Sequence, residues 1–223
     1  MVELKISDRF KTLYPDVRVG ILAIRNLGNV SNRSALEEEK SRIIRDLQDQ
    51  FPDRQQIRDH PVIQAYSSYY KPFGKTYHLI GQVETAVKNK SADSANHPAV
   101  EAMFLAELKN LLLTAGHDLG CIKGALEITA AEGTETYTSI SGREVMAKEG
   151  DMLIRDEKSP ISTVIYGPDR RTRITKSTND VIYTVYVPRG IPAKTTMNLL
   201  DDISRLISLV HPSAETAFKR ILP

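Results

Sequence analysis

Apolar positions along the chain fall into two regimes. Across 34–113 they repeat at a helical period, whereas before and after this stretch they form short runs or alternate with polar residues. In 34–50, Leu36, Ile43, Ile44 and Leu47 recur on one face, with Glu37, Lys40, Arg42 and Arg45 on the wet side, so the spacing predicts a helix. A second helix is predicted from Pro61, carrying Val62, Ile63, Tyr66, Tyr69 and Tyr70 and stopping before Pro72, Phe73 and Gly74. A third covers 78–89 through Leu79, Ile80, Val83 and Val87. A fourth runs to about Leu113, with Asn96 as N-cap and Pro98 in its first turn.

The flanks read as strands. Residues 2–6 alternate apolar and polar, as in a half-buried strand, and 18–24 is an almost continuous apolar run suited to burial on both faces. After Gly116, strands are predicted at 125–128, 136–140, 152–154, 163–166 and 181–187. Gly124, Gly133, Gly142, Gly150 and Gly167 punctuate them. A closing helix over 193–209 presents Met197, Leu200, Ile203, Leu206 and Ile207 to the core. The whole describes an α+β protein in which a helical middle packs on a mixed sheet, with strands gathered from both ends of the sequence. No linker rich in Pro, Ser or Gly divides it, so 1–223 is expected to form one unit with an internal division near Gly116.

Composition narrows the chemistry. Of the 223 residues, 41% are hydrophobic and 26% charged, enough for a sizeable core under an ordinary polar surface. A net charge of +2 decides nothing about anionic partners, so any nucleic-acid surface has to be local. Cys121, the single cysteine, has no partner for a disulfide and builds no thiolate metal site. No apolar run reaches the roughly 18 residues that span a bilayer, and the start Met1-Val2-Glu3-Leu4-Lys5 is unlike a signal peptide. The expectation is a cytoplasmic protein away from membranes, without metal or cofactor. The sequence has no glycine-rich phosphate loop, no His-x-x-x-His pair and no Gly-x-Ser-x-Gly elbow.

Four stretches, taken in order, resemble a known family. They are HPVIQAYSSYYKPFG, HLIGQVETAVKN, NHPAVEAMFLAELKNLLLTAGHDLGCIKGALEI and TVIYGPDRRTRITKSTNDVIYTVYV. Together they are similar to the tRNA-editing domain of the phenylalanyl-tRNA synthetase beta subunit, here as a free-standing chain, over roughly residues 60–208. The resemblance rests on a Tyr-rich helix ending at Phe73-Gly74, two more helices, Asp118 ahead of an Ile122-x-Gly124 turn, and a closing hairpin. It implies two interleaved subdomains with a pocket between them that hydrolyses a wrongly attached amino acid, chiefly tyrosine, from tRNA. Such chemistry needs a held water and oxyanion donors rather than a metal or a side-chain nucleophile. The chain departs from the family twice. The glutamate that recognises the tyrosine hydroxyl falls on Thr184, and the histidine ahead of the aspartate falls near Ala115, two residues from His117.

The candidate site residues each have a plain alternative. His117, beside Asp118, would position water, or Asp118 simply caps the next turn. Asn96 with His97 would reach the cleft, or the pair only caps a helix. Thr178 and Asn179, with Ser177 and Asp180, would line the pocket, yet turn chemistry also accounts for them. Gly167 would let a substrate backbone come close, as the resemblance implies. Thr184 and Tyr166 would contact the amino-acid part, although Tyr on strands is more often core. Arg170, Arg171, Arg173 and Lys176 form the densest positive cluster, and strand alternation would put Arg171 and Arg173 on one phosphate-facing side. The reading that follows is deacylation of mischarged aminoacyl-tRNA in trans, with tRNA or aminoacyl-tRNA as partner. Its rivals are a non-catalytic RNA- or small-molecule-binding module and a structural subunit assisting a synthetase.

Overall fold

A computed structural model of the chain describes residues 3–89, 92 and 97–223. In chain order its first half contains β1 (Leu4–Ile6), α1 (Asp8–Leu13), β2 (Arg18–Arg25), α2 (Arg33–Gln50), α3 (Arg54–Asp59), α4 (Pro61–Tyr70), α5 (Leu79–Asn89) and α6 (Pro98–Asn110). The second half contains β3 (Thr114–Asp118), β4 (Leu126–Ala130), β5 (Thr136–Thr138), β6 (Glu144–Met146), β7 (Met152–Arg155) and β8 (Pro160–Thr163). It ends with β9 (Gly167–Pro168), β10 (Val181–Val187), α7 (Ala193–Val210) and β11 (Glu215–Leu222). The architecture is α+β.

The central sheet is antiparallel in the order β11-β2-β10-β3, so it joins strands from both ends of the chain. Every residue of β10 is buried, because both faces of the sheet are covered. On one face lie the helices. The Tyr183 hydroxyl donates to the Ala99 carbonyl of α6 at 3.0 Å. Nearby, α7 crosses β2 so closely that a Cβ on Gly20 would lie 2.8 Å from Thr196 Cγ2. On the other face lies a mixed sheet, β1-β4-β7-β8-β9, whose first pair is parallel and whose others are antiparallel. The Tyr186 hydroxyl reaches across to Ser162 of β8, 2.6 Å from its Oγ and 3.1 Å from its carbonyl oxygen.

The tyrosines of α4 tie these layers together. Tyr66 donates to the Tyr186 carbonyl, Tyr70 to Val164 at 2.9 Å and Tyr69 to Asp151 at 2.6 Å. All three phenols are satisfied, as buried hydroxyls must be. A single-turn helix over 71–73 follows, and Gly74 ends it in the left-handed region at φ 65°. Among the described residues no helix is long and apolar enough to cross a membrane.

Several local expectations change. The chain ends on β11 rather than on a helix; this edge strand is largely exposed, so it lacks the apolar signal of the inner strands. The fourth helix stops at Asn110, because Leu111 turns left-handed at φ 60°. The strand expected at 163–166 ends at Thr163 and gives way to a turn, while the one at 136–140 ends at Thr138. The helices α1 and α3 and the strands β3 and β6 carry too little periodicity to be expected from the sequence. The expectations at Val2 and Asn96 lie outside the described residues. His97 occupies the cap of α6, its Nδ1 accepting the Ala99 N–H at 3.1 Å.

Candidate functional site

Where the edge strand β3 meets the turn after β8, the layers part around a cavity of about 260 Å³. The turn and β9 form one wall, from Thr163 to Pro168. Leu113, Thr114, Ala115 and Tyr186 form the opposite wall, with Glu107 and His78 from the helical layer. A cavity of this size suits an amino-acid-sized ligand, since drug-sized ligands take roughly 300–1,000 Å³.

The turn is held rather than loose. Asp151 Oδ2 accepts the Ile165 N–H at 3.0 Å and Thr163 Oγ1 accepts the Tyr166 N–H at 3.1 Å. The Tyr137 hydroxyl donates to the Gly167 carbonyl at 2.8 Å. Gly167 sits at φ +75°, where a side chain is strained, and no atom lies within 4 Å of the place its Cβ would take. Backbone there is open to a ligand. Burial raises Asp151 to about 6, with the Tyr69 hydroxyl and the Ile165 amide opposing it.

Glu107 is the carboxyl among the described residues that line this cavity. Its Oε1 accepts the Thr114 N–H, and burial pushes its carboxyl up to about 8. The amide and hydroxyl of Thr114, both beside the carboxyl, pull it part of the way back. The hydroxyl lies outside hydrogen-bonding geometry and Thr114 Oγ1 has no partner. Burial also lowers His78.

The expected site residues scatter around this cavity. Tyr166 and Gly167 line it. Thr184 is fully buried on β10, paired with Ala115 and two residues from Tyr186, so it faces the same interlayer side. Its Oγ1 has no hydrogen-bond partner. His117 is fully buried one step along β3 on that face; its Nδ1 lies 2.8 Å from Thr172 Oγ1, which donates on to Asp169. Burial first, and the nearby Arg171 charge second, hold His117 down at about 3, so the ring is neutral. With Thr172 donating to Asp169, the proton sits on Nδ1, and Nε2 has no partner.

Thr178 and Asn179 are not brought to the cavity. Thr178 Oγ1 donates to Asp118 Oδ2 at 2.6 Å, and the Asn179 carbonyl accepts the Leu27 N–H at 2.9 Å. Both serve the turn into β10. Asp118 also accepts the Gly120 N–H at 2.9 Å, so it caps the turn that follows β3.

The arginines do not alternate on a strand, because 170–176 is irregular. Arg171 turns inward: its Nη2 lies 3.0 Å from both carboxylate oxygens of Asp156, and its Nη1 donates to the Cys121 carbonyl at 2.8 Å. Arg173 turns outward, donating to the Arg170 carbonyl at 2.7 Å. Arg170, Arg173 and Lys176 are exposed, and the first two edge an open groove with Lys158. Sequence reasoning missed Glu107 altogether. Its position on α6 gives no sign that the carboxyl meets a cavity.

No protein-family model matches the chain. Over 69 residues it is 30% identical to the phenylalanine–tRNA ligase beta subunit of Mycoplasma pneumoniae, covering 31% of this chain and 9% of that protein. In three dimensions it is similar to an N-terminal fragment of the phenylalanyl-tRNA synthetase beta subunit from Pyrococcus horikoshii. The TM-score there is 0.50 at 12% identity, over 100% of this chain and 54% of the fragment. The chain thus spans about half of that fragment and about a tenth of the curated relative. The shared feature is the α+β fold.

Proposed function

We propose that the chain is an editing-type domain acting on its own, a single unit that hydrolyses mischarged aminoacyl-tRNA in trans. The observation that carries this reading is the interlayer cavity, amino-acid-sized and walled by a pinned turn with open backbone at Gly167. With the Ile165 and Tyr166 amides engaged by Asp151 and Thr163, the backbone a carbonyl carbon would meet is that at Gly167, already fixed in position, as acyl transfer without a nucleophilic side chain requires. Water would add to the ester carbonyl, the acyl–oxygen bond to the terminal ribose would break, and the water's proton would pass to the ribose oxygen. Thr184 and Ala115, standing where the family has glutamate and histidine, argue for an amino acid other than tyrosine. Arg170, Arg173 and Lys176 are the exposed cations available to the acceptor end.

A second reading, a binding module without catalysis, is favoured by one observation. The Thr178 hydroxyl is spent on Asp118, the Asn179 amide is exposed at the turn beside Asp180 and Gly28, and His117 is sealed, so none of these side chains is placed to hold water in the cavity. A deacylation assay over a panel of mischarged tRNAs separates the two. Hydrolysis above the uncatalysed rate for at least one is the expected result. Salt-dependent tRNA binding with no hydrolysis of any would leave the module and remove the enzyme.

A further inference from the structure

The cavity has an ionisable wall that the proposed deacylation does not use. Glu107 is 7% exposed and Thr114 6%, and both line the cavity. Among the described residues lining it there is no lysine or arginine. The other titratable groups near the carboxyl are Tyr66 and Tyr70 from α4, Tyr77, and His78 ahead of α5, with Tyr166 and Tyr186 farther along the wall. The four phenols of Tyr66, Tyr70, Tyr77 and Tyr186 are committed to the oxygens of Tyr186, Val164, Leu111 and Ser162. His78 is held toward its neutral form. Among the described residues no cation lining the cavity therefore balances the carboxylate, and the Thr114 hydroxyl beside it has no hydrogen-bond partner. An apolar ligand would leave both groups unmatched, at a cost in binding.

We infer that this cavity binds a primary ammonium group, with Glu107 as its charge partner and Thr114 Oγ1 accepting one of its hydrogens. An ammonium has three donors and no acceptor, so it matches a wall that offers a carboxylate and a hydroxyl lone pair. The ammonium is the α-amino group of an aminoacyl ester or the end of a basic side chain. This rests on the cavity being the ligand pocket, but not on hydrolysis taking place there. Because burial holds Glu107 near 8, binding an ammonium displaces a proton. Below that value, and below the pKa of the ligand's own ammonium, affinity therefore climbs with pH by up to about tenfold per unit.

Isothermal titration of the intact chain tests this with two probes. L-phenylalaninol carries only an α-ammonium, and Nα-acetyl-L-lysinamide only a side-chain ammonium; each is compared with its counterpart acetylated on that nitrogen. The expected result is binding of at least one probe, weakened at least about tenfold by acetylation and by Glu107→Gln. The pH dependence should vanish in that variant. Thr114→Val should weaken binding while the chain stays folded, because it removes the acceptor lone pair beside Glu107 and keeps the backbone amide that bonds it. Failure of both probes to bind would overturn the inference. Equal binding of the acetylated forms would do the same, as would undiminished affinity in folded Glu107→Gln. Affinity that falls with rising pH while the ligand's ammonium is still protonated would mean that a protonated Glu107 donates to the ligand, and would also overturn it. Ammonium binding without deacylation leaves the inference standing and removes the enzyme. Hydrolysis undiminished by acetylation of the α-nitrogen, and likewise of the side-chain nitrogen in lysyl-tRNA, does the reverse.

Discussion

Two buried side chains titrate in opposite senses and shape stability from both ends of the pH scale. Glu107 rises from an ordinary 4.5 to about 8 by burial, so the unfolded chain releases this proton far more readily than the folded one. Stability is therefore lost as pH climbs from about 4.5 through about 8. His117 falls from 6.5 to about 3, by burial and then by Arg171, so its neutral folded form loses stability as pH drops through that window. Asp151, raised from 3.8 to about 6 by burial, adds its own loss as pH climbs through that lower window, which is why a variant comparison is needed. Glu107→Gln keeps an acceptor for the Thr114 amide and removes the titration. Its melting temperature should exceed that of the unaltered chain at pH 8.5, with the gap closing towards pH 5. A gap that does not change with pH would show that Glu107 ionises alike in both states.

Among the elements, α7 seats closely on β2. A Cβ at Gly20 would meet Thr196 Cγ2 at 2.8 Å, Val185 Cβ at 3.3 Å and Leu200 Cδ1 at 3.5 Å, all within a buried core. Overpacking of this kind costs about 1–3 kcal/mol. Gly20→Ala should lose that much in equilibrium urea unfolding, and Thr196→Ala in the same chain should return part of it, because the nearest atom is removed. Additive losses would place the strain elsewhere. The turn after β8 is the functional counterpart: Asp151, Thr163 and Tyr137 pin it from three directions, so Gly167 is presented without backbone freedom.

Over the whole molecule, a small net charge hides a division of labour among cations. Arg171 is structural, its charge spent on Asp156, whose side chain is fully buried. Arg170 and Arg173 face solvent beside Lys158. Replacing Arg170 and Arg173 with glutamine should weaken tRNA binding across sequences and reduce the salt slope by about one for each phosphate no longer neutralised. Arg171→Gln should instead lower the unfolding midpoint, since it leaves a buried carboxylate unpaired. An unchanged tRNA affinity in the first variant would remove this surface from consideration.

The helices α2, α4, α5 and α7 and the buried strands β2 and β10 are legible in the sequence, because their signals are local: a 3.6-residue stripe, an unbroken apolar run, a capping residue. Legible too, through the order of short stretches, is likeness to the synthetase beta subunit. The edges β3 and β11 are not, since one carries glycine and histidine, the other lies largely exposed, and pairing with β10 and β2 makes them strands. Nor is the side to which a charge turns. Arg171 and Arg173 stand two apart in an arginine-rich run, yet Asp156, fifteen residues away from Arg171, takes one of them inward. The cavity itself is decided entirely by tertiary structure. His78, Glu107, Thr114, Tyr166 and Tyr186 come from separate parts of the chain, and only the packing of three layers sets a carboxyl, without a lysine or arginine among the described residues lining its cavity, beside a hydroxyl without a hydrogen-bond partner.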